Sequence, residues 1–127
     1  MGAKVRFRTG MGAVAALLSL SGAPVAAQPA PNGEQLFRQR CAMCHVNAAG
    51  KPATLGPNLS GVVGRKAGST AYAYSAALKA SKITWTSANL DRYLSGPARM
   101  VPGTRMAVVL SDPAQRGALI KYLSSAR

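Results

Sequence analysis

The chain has 127 residues, and its 16 lysines and arginines face only three acidic residues, so its formal net charge is +13. A chain of this length forms one small domain with one modest core. It contains two cysteines and one histidine, which leaves a structural zinc site short of its four protein ligands.

Residues 1–27 have the pattern of a secretory signal peptide. Basic residues open this segment, an apolar run extends from Met11 to Leu20, and Val25-Ala26-Ala27 supplies the small residues of a cleavage site. The apolar run is too short for a transmembrane helix, although an uncleaved anchor is the alternative. Arg6 and Arg8 are not adjacent, which favours the general export route over the twin-arginine route. We therefore expect the mature protein in the periplasm.

Cleavage after Ala27 would remove three basic residues and no acidic one, which leaves a net charge of +10. Nucleic acid, an anionic membrane surface and acidic protein surfaces are the partners that such a charge suits. Export argues against nucleic acid, and we expect at most peripheral membrane contact. Many of the charges only keep the domain soluble. A basic rim also raises the rate of encounter with an acidic protein partner.

The folded domain is expected over residues 33–127. Residues 28–32 contain two prolines and are predicted to form a short exposed linker. Asn32 is a good N-cap for a first helix that begins near Gly33 and ends at the first cysteine. Phe37 lies on the same side of this helix as the cysteines and is predicted to join the core.

The stretch Cys41-Ala42-Met43-Cys44-His45 has the spacing of a covalent haem attachment motif. Two cysteines three positions apart reach neighbouring vinyl groups, and the histidine that follows supplies an iron ligand. A redox dithiol is the alternative, but it normally opens a helix in a βαβ unit, which is not predicted here. A disulfide between Cys41 and Cys44 would close too small a loop to stabilise much. We expect one haem c attached through Cys41 and Cys44, and a largely unstructured haem-free chain.

Glycine and proline are frequent from Val46 to Ser69, which predicts an ordered loop over one haem face. Within it, the carbonyl of Pro57 is free to accept the Nδ1 proton of a ligating histidine and so to fix its tautomer. A plain turn at Gly56-Pro57-Asn58-Leu59 is an equally good interpretation.

Two short helices are predicted next, over Tyr72–Ala80 and over Ser87–Ser95. Thr86 is a candidate N-cap for the second, and Gly96-Pro97 is a stop signal for it. The apolar residues of the second helix recur at helical spacing, which predicts one buried face.

The last helix is predicted to begin near Ser111 or Asp112, with Pro113 in its first turn. Its apolar residues form a single stripe. Gly117 costs helix stability and is expected to let another helix approach closely.

A methionine sulfur is the usual second axial ligand of an electron-transfer haem. Met1 and Met11 would leave with the signal peptide, and Met43 lies between the cysteines and cannot reach the opposite face. Met100 and Met106 remain, and a Pro-Gly turn precedes Met106. Ligation by two histidines of this chain is excluded, since it has only one.

The stretches CAMCH, GPNLSGVVGRKAG, ITW and VPGTRM occur in an order and at separations that closely resemble mitochondrial-type class I cytochrome c and its bacterial relatives. The resemblance covers nearly the whole mature chain. It implies an all-α fold of a few helices and ordered loops around one covalently bound haem. The first and last helices would cross, so that Gly33 and Phe37 meet Leu119 and Tyr122.

The resemblance also implies roles for individual residues. His45 and Met106 would be the axial iron ligands, and Pro57 the hydrogen-bond acceptor of His45. Five more residues match cofactor-contacting positions of the family: Arg65, Tyr74 and Trp85 at a haem propionate, and Tyr93 and Thr104 on the methionine side. Trp85 and Tyr74 would serve equally well as core aromatics.

Three residues depart from the pattern of the family. Leu78 stands where many relatives carry an asparagine of a buried polar network, so a reduced network is expected. Val108 stands where relatives usually place a phenylalanine over the haem edge, which suggests a more open or differently packed methionine side. Arg105 replaces a lysine and stays charged at high pH, so a lysine-ligated alkaline form is expected to be absent or to recruit Lys79 or Lys82.

These features predict a monomeric one-electron carrier rather than an enzyme. It would connect a membrane or periplasmic reductase with a terminal oxidase or reductase. Its expected partners have acidic docking surfaces and include a cytochrome bc-type reductase, an oxidase or a dehydrogenase, which would face Arg40, Arg99 and Arg105. One alternative is a dedicated haem subunit of a single periplasmic dehydrogenase. Another is a peroxidase-like or small-ligand-binding haem protein in which Met106 is labile.

Overall fold

The structure, a computed structural model, describes Met1, Gly2, Lys4 and residues 22–126. These residues form five helices: α1 (Gly33–Arg40), α2 (Ala76–Ala80), α3 (Ser87–Ser95), α4 (Pro97–Met100) and α5 (Pro113–Ser125). The only β feature among them is one isolated bridge between Lys66 and Thr84, so the predicted all-α class is confirmed. The apolar run of the predicted signal peptide lies outside the described residues. Of the helices within them, none is long and apolar enough to cross a membrane.

Helix α1 begins where the sequence predicts it. The side chain of Asn32 accepts a hydrogen bond from the Gln35 backbone nitrogen at 3.0 Å, which satisfies one of the free donors of the first turn. Glu34 lies in that turn and forms an ion pair with Arg38 one turn later, at 2.6 Å. Phe37 is buried, as predicted, and directs the helix towards the core.

Helices α1 and α5 cross at Gly33, where the two backbones touch. A Cβ atom at Gly33 would lie 2.1 Å from the Ala118 carbonyl oxygen and 2.8 Å from the Tyr122 Cβ, so no larger residue fits. The rings of Phe37 and Tyr122 pack with centroids 5.7 Å apart. The expectation that Gly117 provides the close approach is wrong, because a Cβ at Gly117 would meet no atom within 4 Å. The small residue that the crossing requires is therefore on α1 and not on α5.

Helix α2 is shorter than predicted. It begins at Ala76 rather than Tyr72, because the Ser75 side chain caps it by accepting from the Leu78 backbone nitrogen at 3.2 Å. The residues before it are irregular, and among them Tyr74 is buried. The fold therefore keeps Tyr72 to Tyr74 outside the helix as a separate segment.

Helix α3 has the predicted bounds, and the Thr86 side chain caps it by accepting from the Asn89 backbone nitrogen at 3.1 Å. Gly96 ends it as predicted. Pro97, however, opens the one-turn helix α4, which the sequence analysis did not predict. Proline suits the first position of a helix, so the same dipeptide stops one helix and starts another.

Helix α5 begins at Pro113, capped by the Asp112 side chain, which accepts from the Ala114 backbone nitrogen at 2.8 Å. Arg116 then joins it to α3 through an ion pair with Asp91 at 2.7 Å. The same guanidinium donates to the carbonyl oxygens of Leu110 and Ser111 at 2.9 and 2.8 Å. Only 12% of the Arg116 side chain is exposed, so these bonds fix the entry into α5.

The core has a fully buried part and a half-buried part. The fully buried part is built mainly from α1, α3 and α5 and includes Phe37, Leu94 and Leu119. The half-buried part packs against it, and its members are apolar: Leu59, Val63, Ala77, Leu78, Ile83, Met100, Met106 and Tyr122. The chain by itself therefore leaves an apolar surface partly open to solvent.

Candidate haem site

The two cysteines lie in turns that continue from the end of α1. The backbone nitrogen of Cys41 donates to the Phe37 carbonyl at 2.9 Å, and the nitrogens of Cys44 and His45 donate to the Cys41 carbonyl at 3.0 and 2.9 Å. This helical winding brings residues three positions apart to one side of the chain. Cys41 is buried and Cys44 half-buried, and both are free thiols, so the disulfide alternative is not formed.

Burial raises the pKa of the Cys41 thiol above its usual value of 9.0; the charge of Arg40 opposes this rise, and the neighbouring Cys44 adds to it. Because the thiolate is the reactive form of cysteine, this burial favours the protonated, less reactive form of a Cys41 that is not attached to haem.

His45 is oriented by a hydrogen bond to Pro57. Its Nδ1 atom lies 2.8 Å from the Pro57 carbonyl oxygen. A carbonyl only accepts, so Nδ1 carries the proton and donates it, which leaves Nε2 free to bind a metal. The sequence analysis left a plain turn as an equal interpretation, and the structure contains the hydrogen bond.

The sequence analysis missed the role of Gly56. A Cβ atom there would lie 2.5 Å from Cε1 and 2.7 Å from Nδ1 of His45, so only glycine lets the loop pass beside the imidazole. The Gly56 nitrogen also donates to the Cys44 carbonyl at 2.7 Å. The available signal was its position directly before Pro57, in a loop that must reach the histidine ring. We call residues 44–59 the histidine segment.

Two of the three propionate candidates are joined through their backbones. The Trp85 nitrogen donates to the Arg65 carbonyl at 2.8 Å, and the Arg65 guanidinium donates to the Asn58 carbonyl at 2.9 Å. Trp85 is buried. The third candidate, Tyr74, is held separately, because its hydroxyl shares a 2.6 Å hydrogen bond with Thr70. All three side chains therefore have fixed positions, as a site for charged carboxylates requires.

Tyr93 and Thr104 are brought together as a pair. Their hydroxyl oxygens are 2.5 Å apart, and the Tyr93 ring packs against Trp85 with centroids 4.8 Å apart. Burial raises the pKa of the Tyr93 phenol above its usual value of 10.0, although the hydrogen bond with Thr104 acts in the opposite direction. The pair anchors Thr104 within residues 101–109, which we call the methionine segment.

The two candidate methionines have different surroundings. Met106 lines a depression of about 280 Å³ together with Pro97 and Val109. Met100 ends α4 and lines another depression, of about 510 Å³, together with Asn89 and Arg92. The surroundings of Met106 are the more apolar of the two, which suits a sulfur ligand beside a buried cofactor.

Two contacts across the fold were not predicted. The Tyr72 hydroxyl donates to the Leu55 carbonyl at 2.5 Å, and the Arg105 guanidinium donates to the carbonyl of Ala73. The partners are 17 and 32 positions apart, and no local pattern in a sequence indicates hydrogen bonds at such separations.

The residues present fit a haem. The half-buried apolar group offers a surface that a flat apolar macrocycle would cover, and the attachment cysteines and His45 lie in one short segment. Arg65, Tyr74 and Trp85 provide a guanidinium, a phenol and an indole for carboxylates. A small helical fold with this motif defines a c-type haem protein.

Comparisons with known proteins agree with this class. The family model described as cytochrome c matches residues 30–127. A cytochrome c of Theileria annulata is 45% identical over 95 residues, which cover 74% of this chain and 83% of that protein. A cytochrome c2 of Rhodomicrobium vannielii is 44% identical over 115 residues, which cover 88% of this chain and 90% of that protein. The solved structure of cytochrome cH from Methylobacterium extorquens has a TM-score of 0.68 and 42% identity, and the match covers 73% of this chain and 94% of that one.

The chain therefore belongs to the cytochrome c family. It is an electron-transfer protein and not an enzyme, which removes the peroxidase-like alternative. It binds haem c covalently, and Cys41 and Cys44 are the attaching residues of its CXXCH motif.

Proposed function

We propose that the protein is a periplasmic one-electron carrier in which His45 and Met106 are the axial ligands of the haem iron. The bound haem stores one electron as its iron changes between the ferric and ferrous states. The observation that carries the proposal is the hydrogen bond from His45 to Pro57, directly after the attachment cysteines. It leaves Nε2 as the free imidazole nitrogen and strengthens it as a ligand.

The surroundings of Met106 support its role as the second ligand. Thr104 lies two residues before it and is held by Tyr93, so the approach of this segment is fixed. The hydroxyls of this pair would line the methionine side. Arg65, Tyr74 and Trp85 would neutralise or hydrogen-bond the haem propionates, which are costly to bury unpaired.

The basic surface supports docking to acidic redox partners. All three acidic groups of residues 28–127 are engaged within the chain: Glu34 with Arg38, Asp91 with Arg116, and Asp112 as the cap of α5. The described part of the chain has no other ion pair. Apart from Arg38, the exposed cations of residues 28–126 therefore have no carboxylate partner among the described residues: Arg40, Lys51, Lys66, Lys79, Lys82, Arg92, Arg99, Arg105 and Lys121.

Three arginines near the methionine segment are already positioned for such a contact. Arg40 donates to the Val109 carbonyl at 3.4 Å, Arg99 donates to the Ser95 carbonyl at 2.7 Å, and Arg105 donates to the Ala73 carbonyl. Each guanidinium keeps further N–H groups free. Because these side chains are partly ordered beforehand, docking would cost less conformational entropy.

Stopped-flow electron transfer with a bc-type reductase tests the docking surface. Arg40→Gln and Arg99→Gln should each lower the second-order rate constant about threefold at low salt, and the loss should shrink as salt screens the charges. Lys121→Gln, which removes the same charge from α5, is the matched control and should leave the rate unchanged. A rate that is independent of salt, or an equal effect of the control, would contradict docking at this surface. Turnover with a single dehydrogenase and no other partner would indicate a dedicated subunit instead.

The periplasmic location rests on the N-terminal sequence. The similarity to the cytochrome c2 extends over more residues than the 30–127 match, so it includes part of the N-terminal segment. Mass spectrometry of the haem protein from a periplasmic extract should give a chain that begins at Gln28. Recovery of the intact chain in the membrane fraction would show an uncleaved anchor.

A further inference from the structure

Two adjacent residues, Tyr72 and Ala73, contact both of the segments that carry the proposed iron ligands. The Tyr72 hydroxyl donates to the Leu55 carbonyl at 2.5 Å, and Leu55 belongs to the histidine segment. The Ala73 carbonyl accepts from the guanidinium of Arg105, which directly precedes Met106. One short piece of chain thus lies between the two segments.

The Leu55 carbonyl, which accepts the hydrogen bond from Tyr72, lies in a turn that two hydrogen bonds hold in place. The Thr54 hydroxyl donates to the Cys44 carbonyl at 2.7 Å, and the Gly56 nitrogen donates to the same carbonyl at 2.7 Å. Leu55 lies between these two residues. Its carbonyl is therefore fixed relative to Cys44 and His45, although its own side chain is exposed.

The contact on the methionine segment is supported by packing. A Cβ atom at Gly103 would lie 3.1 Å from the Ala77 Cβ, so the methionine segment also touches the start of α2. The bond from Arg105 has a charged donor, and such bonds are stronger than those between neutral groups. Arginine keeps its charge at every accessible pH.

One of the two bridging residues packs against a buried residue. The Tyr72 ring packs edge-on against Tyr74 with centroids 5.0 Å apart, and Tyr74 is buried and hydrogen-bonded to Thr70. This packing orients the Tyr72 ring but leaves Ala73 exposed, so the position of the stretch also depends on its two hydrogen bonds.

We propose that the two hydrogen bonds, Tyr72 to Leu55 and Arg105 to Ala73, form a brace that keeps Met106 in place by tying the methionine segment to the histidine segment. Tyr72 and Arg105 are positioning residues, because neither is a ligand of the iron. The proposal rests on the proposed function, since it takes Met106 as the second ligand. The link between the two segments runs from Leu55 through Tyr72 and Ala73 to Arg105, so breaking either bond interrupts it and the two bonds act in series.

Binding of imidazole to the ferric haem protein tests the brace, because this ligand binds the iron only when Met106 has moved away. Tyr72→Phe and Arg105→Leu should each tighten imidazole binding about fivefold, since the binding-competent fraction rises by that factor. This equals about 1 kcal/mol at 1.4 kcal/mol per tenfold. The double variant should bind no more than about fivefold tighter, because the first change already breaks the brace.

Tyr122→Phe and Lys121→Leu are the matched controls. Both lie in α5, and they remove a tyrosine hydroxyl and a positive charge away from the brace. A second readout separates positioning from general stability. In the brace variants, the weak methionine-to-iron absorption band should disappear at a lower denaturant concentration, while the midpoint of global unfolding stays near that of the wild type.

The outcomes distinguish the two proposals. A wild-type ferric protein without the methionine band would overturn Met106 as a ligand. If the wild type has the band but the brace variants bind imidazole as the controls do, the brace is overturned and the ligand assignment stands. Multiplied effects in the double variant, about 25-fold for two independent fivefold changes, would overturn the coupling between the two bonds.

Discussion

The histidine segment and the methionine segment are held in different ways. In the histidine segment, main-chain bonds act together with side-chain bonds: the Gly56 nitrogen donates to the Cys44 carbonyl at 2.7 Å and the Leu59 nitrogen donates to the Val46 carbonyl at 2.8 Å. In the methionine segment, the described residues from Arg105 to Val109 take part in no backbone–backbone hydrogen bond. Side chains hold this segment instead, mainly through the Tyr93–Thr104 pair and the Arg105 bond.

This difference distinguishes the two segments that carry the proposed iron ligands. The histidine segment adjoins the covalent attachment points and is held by main-chain and side-chain hydrogen bonds together. The methionine segment depends on a few side chains, of which some are partly exposed. It is therefore the side that a mutation, a small ligand or a change of pH opens first.

The largest expected effect, a loss of cooperative unfolding, comes from a variant that cannot attach the cofactor. The Cys41→Ala, Cys44→Ala double variant should lose cooperative thermal unfolding, because the half-buried apolar group then has nothing to cover it. Circular dichroism during heating measures this. A cooperative transition in the double variant would show that the chain holds both segments without haem.

The next largest effect is a loss of stability when a glycine is replaced, and it should differ between the histidine segment, at Gly56, and the methionine segment, at Gly103. Gly56→Ala should destabilise the haem protein by about 3 kcal/mol, because the new methyl group overlaps the His45 ring. Gly103→Ala, at a φ of 90°, should cost only about 1–2 kcal/mol. Denaturant unfolding gives both values. The control Gly117→Ala meets open space and should stabilise α5 by about 0.8 kcal/mol. A larger loss of unfolding free energy in Gly103→Ala than in Gly56→Ala would show that the methionine segment tolerates a substitution less well than the histidine segment does.

A smaller effect is expected at Lys82, which lies in neither segment. Its φ of 54° makes it the one described non-glycine residue with a positive φ. Lys82→Gly should raise the free energy of unfolding by about 1 kcal/mol, because the strain of a left-handed side-chain-bearing residue is removed. Lys79→Gly, in α2, is the control and should destabilise. A loss of stability in Lys82→Gly would mean that its side chain makes a stronger contact than the strain it causes.

The smallest effect appears only at high pH and belongs to the methionine segment. Because the pKa of Tyr93 in the fold is above its ordinary value of 10.0, the folded chain holds this proton more tightly than the unfolded chain. The resulting stability is complete below pH 10 and is lost as the pH rises through the folded-state pKa. Denaturant unfolding from pH 8 to 11 should therefore show a steeper fall in the wild type than in Tyr93→Phe. Equal slopes would show that Tyr93 ionises as easily in the fold as in the unfolded chain.

Local features of the fold followed from the sequence, because caps and turns depend on neighbouring residues. The caps Asn32 and Thr86, the bounds of α3 and the position of Pro113 in the first turn of α5 are confirmed. The start of α2 was placed too early, since helical spacing alone does not reveal the competing cap at Ser75.

Contacts between distant parts of the chain could not be predicted in this way. The helix crossing uses Gly33 rather than Gly117, and only the packed backbones show which glycine is needed. The bonds from Tyr72 and Arg105 likewise depend on how the loops meet. The attachment motif was predictable because the chemistry of haem attachment fixes the spacing of Cys41, Cys44 and His45.

The oxidised absorption spectrum of two leucine variants tests the assignment of the iron ligands most directly. The wild type should show the methionine-to-iron band. Met100→Leu should retain this band, and Met106→Leu should lose it while the haem stays attached through Cys41 and Cys44. Loss of the band in Met100→Leu, or its persistence in Met106→Leu, would contradict the assignment.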